Sequence, residues 1–158
     1  MKWNYRLLDS ITKWLEARGR RRMITQERDG HNEDCLERFY ILRTKWLGIY
    51  LHRFWASDDN GLHDHPWYSA SVLLAGSYIE HVPNIKSRPE LVGPTRICVR
   101  KPMHPLVTLR SKHAAHRIVV PDGTEGQCWS LFIRFGFKKR LWGFYRDGYW
   151  VEALEQTE

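Results

Sequence analysis

Two histidines one residue apart, His63 and His65, are the residues of this sequence best suited to chemistry. In an extended strand, residues i and i+2 point to the same face, so both imidazoles converge while Asp64 points away. Two neutral imidazoles placed in this way can bind one divalent metal ion at about 2.0–2.2 Å. His116 begins a second strand-like run and is the natural third ligand. The spacing therefore predicts a metal site; the alternative is a set of hydrogen-bonded polar residues at a strand edge.

Five further side chains are candidates for contact with a substrate: His52, Trp67, Arg100, His113 and Arg134. His52 lies in an alternating run and Trp67 continues the parity of the two histidines, so both are expected to face one pocket, although a structural role fits each as well. An inward guanidinium at Arg100 or Arg134 could bind a carboxylate or a phosphate, whereas an outward one would lie on the surface. His113 could replace His116 as the ligand if the turn before the strand is drawn differently.

No other catalytic motif competes with the histidines. The sequence has no GxSxG, P-loop, GxGxxG or CxxC pattern, and no pair of acids is placed as in a glycosidase. Three cysteines, odd in number and well separated, are typical of a reducing compartment. Because the N-terminus also lacks the apolar core of a secretory signal, we expect a cytoplasmic location.

The elements that must position these residues are mostly strands. From residue 39 onward, short runs that alternate or are rich in β-branched residues follow one another, separated by turn signals such as Pro121-Asp122-Gly123. No helical pattern interrupts them. Short strands with regular turns predict an all-β barrel or sandwich over residues 39–158, in which the aromatic C-terminal segment closes the barrel or forms an outer hairpin.

Residues 1–38 have a different character and are interpreted as an amphipathic helix with a basic linker. Apolar residues recur with helical spacing, at Leu7, Leu8, Ile11, Trp14 and Leu15. We expect this stripe to pack on the following domain, with docking at a membrane surface as the alternative. Residues 25–38 are polar and charged around the turn signal Asp29-Gly30, which indicates a linker or an irregular connection.

Length, composition and charge limit the classes of protein to which this sequence can belong. The 158 residues suffice for one domain with its own core, and eight Trp, seven Tyr and six Phe exclude a disordered protein. No apolar run approaches the ~20 residues that span a bilayer. The net charge is +7, and much of it lies near the N-terminus. The basic cluster Arg18-Gly19-Arg20-Arg21-Arg22 could attract the phosphates of a nucleic acid, or it could be a solvated turn.

The regions around the three histidines resemble the two motifs of the cupin superfamily. The first is Gly61-Leu62-His63-Asp64-His65 followed by Val72-Leu73-Leu74-Ala75-Gly76-Ser77-Tyr78, and the second is Lys112-His113-Ala114-Ala115-His116-Arg117-Ile118-Val119. The finer pattern is similar to small uncharacterised cupin proteins of bacteria and phages. The resemblance implies a cupin-like double-stranded β-helix (jelly roll) barrel with a metal ion in its mouth. The expected fold is thus all-β, with an N-terminal α-helix before the barrel.

One position departs from the usual cupin pattern. Many cupins carry a glutamate four or five residues after the second histidine, where this chain has Ser69 and Ala70. The resemblance therefore implies three neutral ligands, His63, His65 and His116, as in the cysteine dioxygenase type of cupin. Such a set leaves positions open for substrate and O₂ on Fe(II), or for water on Zn²⁺. Because neutral ligands leave the charge of the metal uncompensated, an anionic substrate that chelates it is favoured.

These observations predict a mononuclear metalloenzyme with a dioxygenase-like reaction on a small molecule, with Fe(II) favoured over Zn²⁺, Mn²⁺ or Ni²⁺. The sequence assigns no catalytic residue beyond the ligands. The alternatives are a non-catalytic cupin module that binds a metal or a small ligand, a nucleic-acid-associated protein that uses the basic N-terminal arm, and a metal-free sugar isomerase. A homodimer is compatible with the sequence, but no pattern demonstrates one.

Overall fold

The computed structural model describes residues 5–58, 61–83, 95–102, 106–112, 114–137, 141–146 and 149–152. Within these ranges the chain forms one helix and twelve strands. In chain order they are α1 (Tyr5–Glu16), β1 (Arg21–Arg28), β2 (His31–Arg43), β3 (Leu47–Phe54), β4 (Leu62–His63), β5 (Tyr68–Ala75), β6 (Tyr78–Pro83), β7 (Thr95–Arg100), β8 (Thr108–Arg110), β9 (Arg117–Val119), β10 (Cys128–Phe135), β11 (Gly143–Arg146) and β12 (Tyr149–Glu152). No helix within these ranges is long and apolar enough to cross a bilayer.

Antiparallel sheets make up the body of the protein. The largest has the strand order β1-β2-β3-β10-β5-β8, and two smaller sheets have the orders β7-β6-β9 and β12-β11-β4. β10 pairs with both β3 and β5, and β9 pairs with β6, so strands far apart in the sequence are neighbours in space. The structure confirms the predicted all-β fold with an N-terminal helix.

Helix α1 covers the outer face of the six-stranded sheet. Leu8 and Leu15 are almost fully buried and pack with Trp129 of β10. Thr12 is buried between them, and its hydroxyl donates to the Leu8 carbonyl at 3.0 Å, which satisfies the one polar group on this face. Burial of each leucine contributes about 1.5–3 kcal/mol, enough to hold the helix on the sheet. The rest of the predicted stripe is exposed: Leu7, Ile11 and Trp14.

Strands β1 and β2 form a hairpin in a region for which the sequence predicted a linker or an irregular connection. That prediction for residues 25–38 is wrong, because β1 pairs with β2 across the Asp29-Gly30 turn and β2 continues into pairing with β3. The expected boundary between residues 38 and 39 lies inside β2. Two buried residues of the hairpin, Gln26 and Glu37, are polar, and this hides the alternation from a hydropathy pattern. Both are satisfied: Gln26 donates to the Ser57 carbonyl, and Glu37 accepts from Arg21.

The barrel interior lies between the six-stranded sheet and the β7-β6-β9 sheet. An apolar cluster from both sheets fills part of it: Phe54, Leu73, Tyr78, Ile118, Val120 and Cys128. Side chains alternate along β3, so His52 shares the inward face with Phe54, whereas Leu51 packs toward α1. The remaining interior holds polar side chains.

Candidate metal centre and its cavity

Three histidines meet at one end of this interior. His63 ends β4, which pairs with β11 of the C-terminal hairpin. Backbone hydrogen bonds of 2.9 Å run in both directions between His63 and His116, so the two residues are directly opposite each other. His65 follows two positions later. The candidate ligand atoms of all three imidazoles lie within 4.8 Å of one another, as the sequence predicted.

The distances and the charge state of this cluster suit a divalent metal ion. Nε2 of His65 and Nε2 of His116 are 3.2 Å apart. Two nitrogen ligands that each lie about 2.1 Å from one metal ion are separated by about 3.0–3.4 Å at ordinary coordination angles. Burial, and then the neighbouring His63 and His116, lower the pKa of His65. Burial and the charge of Arg110 lower the pKa of His116 to about 3, so both imidazoles are neutral near pH 7, as metal ligands must be.

A buried carboxylate orients His116. Glu80 on β6 is fully buried, and its Oε1 lies 3.1 Å from Nδ1 of His116. The Nδ1–H group donates to Glu80, and the lone pair of Nε2 is then available to bind a metal ion. Arg100 donates to Oε2 of the same carboxylate at 2.6 Å, and Arg110 donates to Oε1. Burial alone raises the pKa of Glu80, but the hydrogen bond from His116 and the charge of Arg110 outweigh it and hold that pKa well below its ordinary value.

Two aspartates support the other histidines. Asp64 is fully buried and points away from the cluster, as predicted; its Oδ1 accepts from the Gly143 amide, and its own amide donates to the Gly143 carbonyl. These bonds tie the segment between His63 and His65 to β11. Oδ2 of Asp58 accepts from the Ile118 amide at 2.7 Å and lies 3.8 Å from Nδ1 of His63. Asp58 therefore places a negative charge beside His63 without a direct hydrogen bond.

A cavity of about 120 Å³ opens beside the three histidines. Of the predicted substrate contacts, His52, Trp67 and Arg134 line it. Arg100 is instead turned toward Glu80, with which it forms an ion pair. His113 lies outside the described residues. The cavity is smaller than the ~300–1,000 Å³ sites of drug-sized ligands, so it suits a small molecule.

Cationic side chains form one wall of the cavity. Cross-strand partners build a row over β1, β2, β3 and β10 that consists of Arg22, Arg38, His52 and Ser130, all of which line the cavity. Nε of Arg38 donates to Nε2 of His52 at 3.1 Å. Burial, and then the charge of Arg38, lower the pKa of His52 well below its ordinary value. His52 is therefore a neutral acceptor and not a second cation.

Sequence reasoning missed several residues of this site, above all Glu80, Arg110 and Arg38. Glu80 lies beyond Gly76, where the chain has a positive φ and leaves β5, so the motif spacing does not place it at the site. Its contact with His116 arises from the pairing of β6 with β9. Arg38 was assigned to the linker. No hydropathy signal identifies β2 as a strand, because the polar Glu37 is buried between Cys35 and Phe39.

The basic residues near the N-terminus do not form one surface. The guanidinium of Arg18 lies 3.9 Å from the Trp14 ring. Arg20 donates to the Ile41 carbonyl, and Arg21 makes ion pairs with Glu16 and Glu37. Arg22 lines the cavity. The alternation of β1 therefore divides the cluster between different faces of the protein.

Comparison with known proteins finds similarity at the level of three-dimensional structure. No protein-family model matches the chain, and no curated protein matches it in sequence. Fe(II) HppE in complex with its substrate matches with a TM-score of 0.52 and 13% identity over 74% of this chain and 57% of that one. Fe(II)-HppE with the alternative substrate (S)-1-HPP matches with a TM-score of 0.51 and 14% identity, with the same coverage. A crystal structure described for the DMSP lyases RdDddP and RnDddQII gives 0.51 and 14% over 70% of this chain and 53% of that one.

These likenesses show the fold. The chain has the cupin fold that its two motifs predicted, and the aligned part spans little more than half of each of these enzymes. At 13–14% identity the likeness carries no statement about the reaction. The chemistry must be argued from the residues of this chain.

Proposed function

We propose that this cupin-fold protein is a mononuclear non-haem iron enzyme that holds Fe(II) with His63, His65 and His116 and oxidises a small anionic substrate. The observation that carries the proposal is the convergence of three imidazoles on one cavity, with two Nε2 atoms 3.2 Å apart. Hydrogen-bonded histidines with a purely structural task do not need to present their ligand atoms to a common point beside an open cavity.

Each residue around the three histidines would have a distinct role. His63, His65 and His116 would bind the metal, and Glu80 would hold His116 in the tautomer that presents Nε2. A bound Fe(II) ion would supply a Lewis acid and a site for O₂ beside the substrate. The two hydrogen bonds between Asp64 and Gly143, one through the Asp64 carboxylate and one through its amide, would keep His63 and His65 in position as the metal enters and leaves.

Iron is the preferred metal for two reasons. Three imidazoles, with no carboxylate beside them among the described residues of the cluster, leave several coordination positions open, which suits a reaction that must bind both substrate and O₂. HppE, which is similar in fold, has been crystallised with Fe(II). Zn²⁺, Mn²⁺ and Ni²⁺ are the competitors, and Zn²⁺, which has no redox chemistry, would favour hydrolytic or binding functions.

Elemental analysis of untagged protein tests the metal site. We expect about one metal ion per chain in the parent protein, since one set of three ligands binds one ion. His63→Ala and His116→Ala should lose it while their circular dichroism spectra stay unchanged. His31→Ala is the matched control, because His31 is exposed at the start of β2. Absence of stoichiometric metal in the parent, even after anaerobic reconstitution with Fe(II), would refute the proposal.

Oxygen uptake distinguishes an enzyme from a binding module. Fe(II)-loaded protein is mixed with a panel of small carboxylates and phosphonates in an oxygen electrode, with His116→Ala as the control. Substrate-dependent uptake in the parent and none in the variant supports the oxidative reaction. Metal binding without uptake on any member of the panel would favour the non-catalytic cupin module.

A further inference from the structure

Several arginines line the cavity in addition to the histidines. Four arginines from β1, β2 and β10 line it: Arg22, Arg38, Arg43 and Arg134. A fifth, Arg110, forms an ion pair with Glu80. Among the described residues that line the cavity, Asp58 is the one with a carboxylate. Positively charged side chains are therefore concentrated on the wall formed by the six-stranded sheet.

Arg134 is held in place by neutral groups. Its Nε donates to the Tyr50 hydroxyl at 2.8 Å and its Nη2 to the Thr44 carbonyl at 3.1 Å, and its guanidinium lies 4.8 Å from the Trp67 ring. Within the described part of the chain, Arg134 makes no ion pair. These bonds use two of the five N–H donors of the guanidinium, so Nη1 remains to donate to a ligand. A fixed guanidinium without a countercharge is suited to bind an oxyanion.

Tyr50 connects Arg134 with Arg38. The hydroxyl of Tyr50 accepts from Arg134, and its ring lies 5.2 Å from the guanidinium of Arg38. The ring can adopt this position because it lies over Gly48, where a Cβ atom would collide with it. A glycine two residues before a tyrosine thus makes room for the group that positions the arginine.

The Phe132 ring separates Arg134 from the three clustered histidines, His63, His65 and His116. Phe132 lies with its ring centroid 6.3 Å from that of His65 and 6.3 Å from that of Tyr50. Arg134 follows Phe132 on the same face of β10, about 7 Å farther along the strand. A ligand that touches both the histidines and Arg134 must therefore extend past Phe132.

We propose that Arg134, together with Arg38, binds an acidic group of the substrate, so that the substrate is a short bifunctional acid. One end carries a group that binds the metal, and the other carries a carboxylate or a phosphate that Arg134 holds. The identity of the first group rests on the proposed function, whereas the anion site stands on the arginines alone. The small cavity volume limits the substrate to a short chain.

Isothermal titration calorimetry with simple anions tests the anion site. Protein loaded anaerobically with Fe(II) is titrated with malonate, with inorganic phosphate and with malonamide, the neutral counterpart of malonate. Malonate and phosphate distinguish a carboxylate site from a phosphate site. Arg134→Gln should weaken the binding of the preferred anion roughly 10- to 100-fold, as expected for loss of a hydrogen bond to a charged group, and Arg134→Lys should weaken it less.

Matched variants and the metal content separate this inference from the proposed function. Arg96→Gln removes the same charge from an exposed position on β7 and should bind anions like the parent. Metal content should be unchanged in Arg134→Gln. Anion binding that depends on Arg134 in a protein that binds no metal would refute the proposed function and support the anion site.

Three results would overturn the anion site. These are equal affinity of the parent and Arg134→Gln, binding of malonamide as tight as that of malonate, or no binding of either anion by the parent. If Arg134→Gln does not fold, Tyr50→Phe gives the answer, because it removes only the hydroxyl that positions Arg134. A Tyr50→Phe variant that binds the anions as tightly as the parent would then count against the inference.

Discussion

The two ends of the cavity hold their charged residues in opposite ways. At the histidine end, Glu80 is buried beneath His116 and pairs with both Arg100 and Arg110, so these three charges have partners within the protein. At the other end, Arg134 is positioned by a hydroxyl, a carbonyl and an indole ring, all of them neutral. The first arrangement fixes a geometry, and the second leaves a positive charge available. A site that needs a rigid metal centre and a place for a charged substrate requires both.

The largest effect is expected where charges are paired in the interior. Glu80→Gln leaves Arg110 and Arg100 without their carboxylate, and loss of one partner of a buried ion pair typically costs about 3–5 kcal/mol. We expect a decrease of that size in the free energy of unfolding in urea, together with weaker metal binding through the loss of the His116 tautomer. Glu27→Gln, at an exposed position on β1, is the control and should be within about 0.5 kcal/mol of the parent. A Glu80→Gln variant as stable as the parent would show that the two ends do not differ in this way.

An intermediate effect is expected at the arginine end, through packing. Gly48→Ala places a methyl group against the Tyr50 ring, and overpacking of this kind costs about 1–3 kcal/mol. Chemical denaturation measures the cost, and calorimetry with malonate measures the accompanying loss of anion affinity. The double variant Gly48→Ala/Tyr50→Ala removes the collision, so its destabilisation should be smaller than the sum of the two single effects. Additive effects would mean that Gly48 does not make room for Tyr50.

The smallest effect per residue concerns pH and involves the buried histidines of both ends. Burial lowers the pKa of His116, of His65 and of His52. As the pH falls below 6.5, the unfolded chain takes up protons at these positions while the folded protein does not, so the stability of the metal-free protein decreases. Each histidine contributes at most about 1.4 kcal/mol per pH unit between pH 6.5 and its folded pKa.

Urea unfolding of the metal-free protein between pH 7 and pH 5 measures this slope, because the carboxylates titrate at lower pH. His52→Gln should flatten it by removing one of the three contributions, and the exposed His31→Gln should leave it unchanged. Stability that rises as the pH falls over this range would contradict the neutral state of these histidines.

Much of the fold was predictable because its signals are local. The alternation along β3, β5 and β10 and the helical spacing of Leu8 and Leu15 depend on neighbouring residues only, and the structure confirms the strands and the helix. The β1–β2 hairpin was not predicted, because Gln26 and Glu37 are buried through hydrogen bonds and not through hydrophobicity. A hydropathy pattern does not detect such positions.

The candidate site also contains residues that local spacing predicts and contacts that it does not predict. His63 and His65 are two residues apart and His116 begins a strand-like run, so local spacing selected all three, although β4 ends at His63 and the assembled sheets bring His116 opposite it. Glu80 and His116 are 36 residues apart, and Tyr50 and Arg134 are 84 apart. Their contacts exist because β6 pairs with β9 and β3 pairs with β10. Strand order and register are properties of the assembled sheets, and they alone decided that Arg100 supports Glu80 while Arg134 faces the cavity.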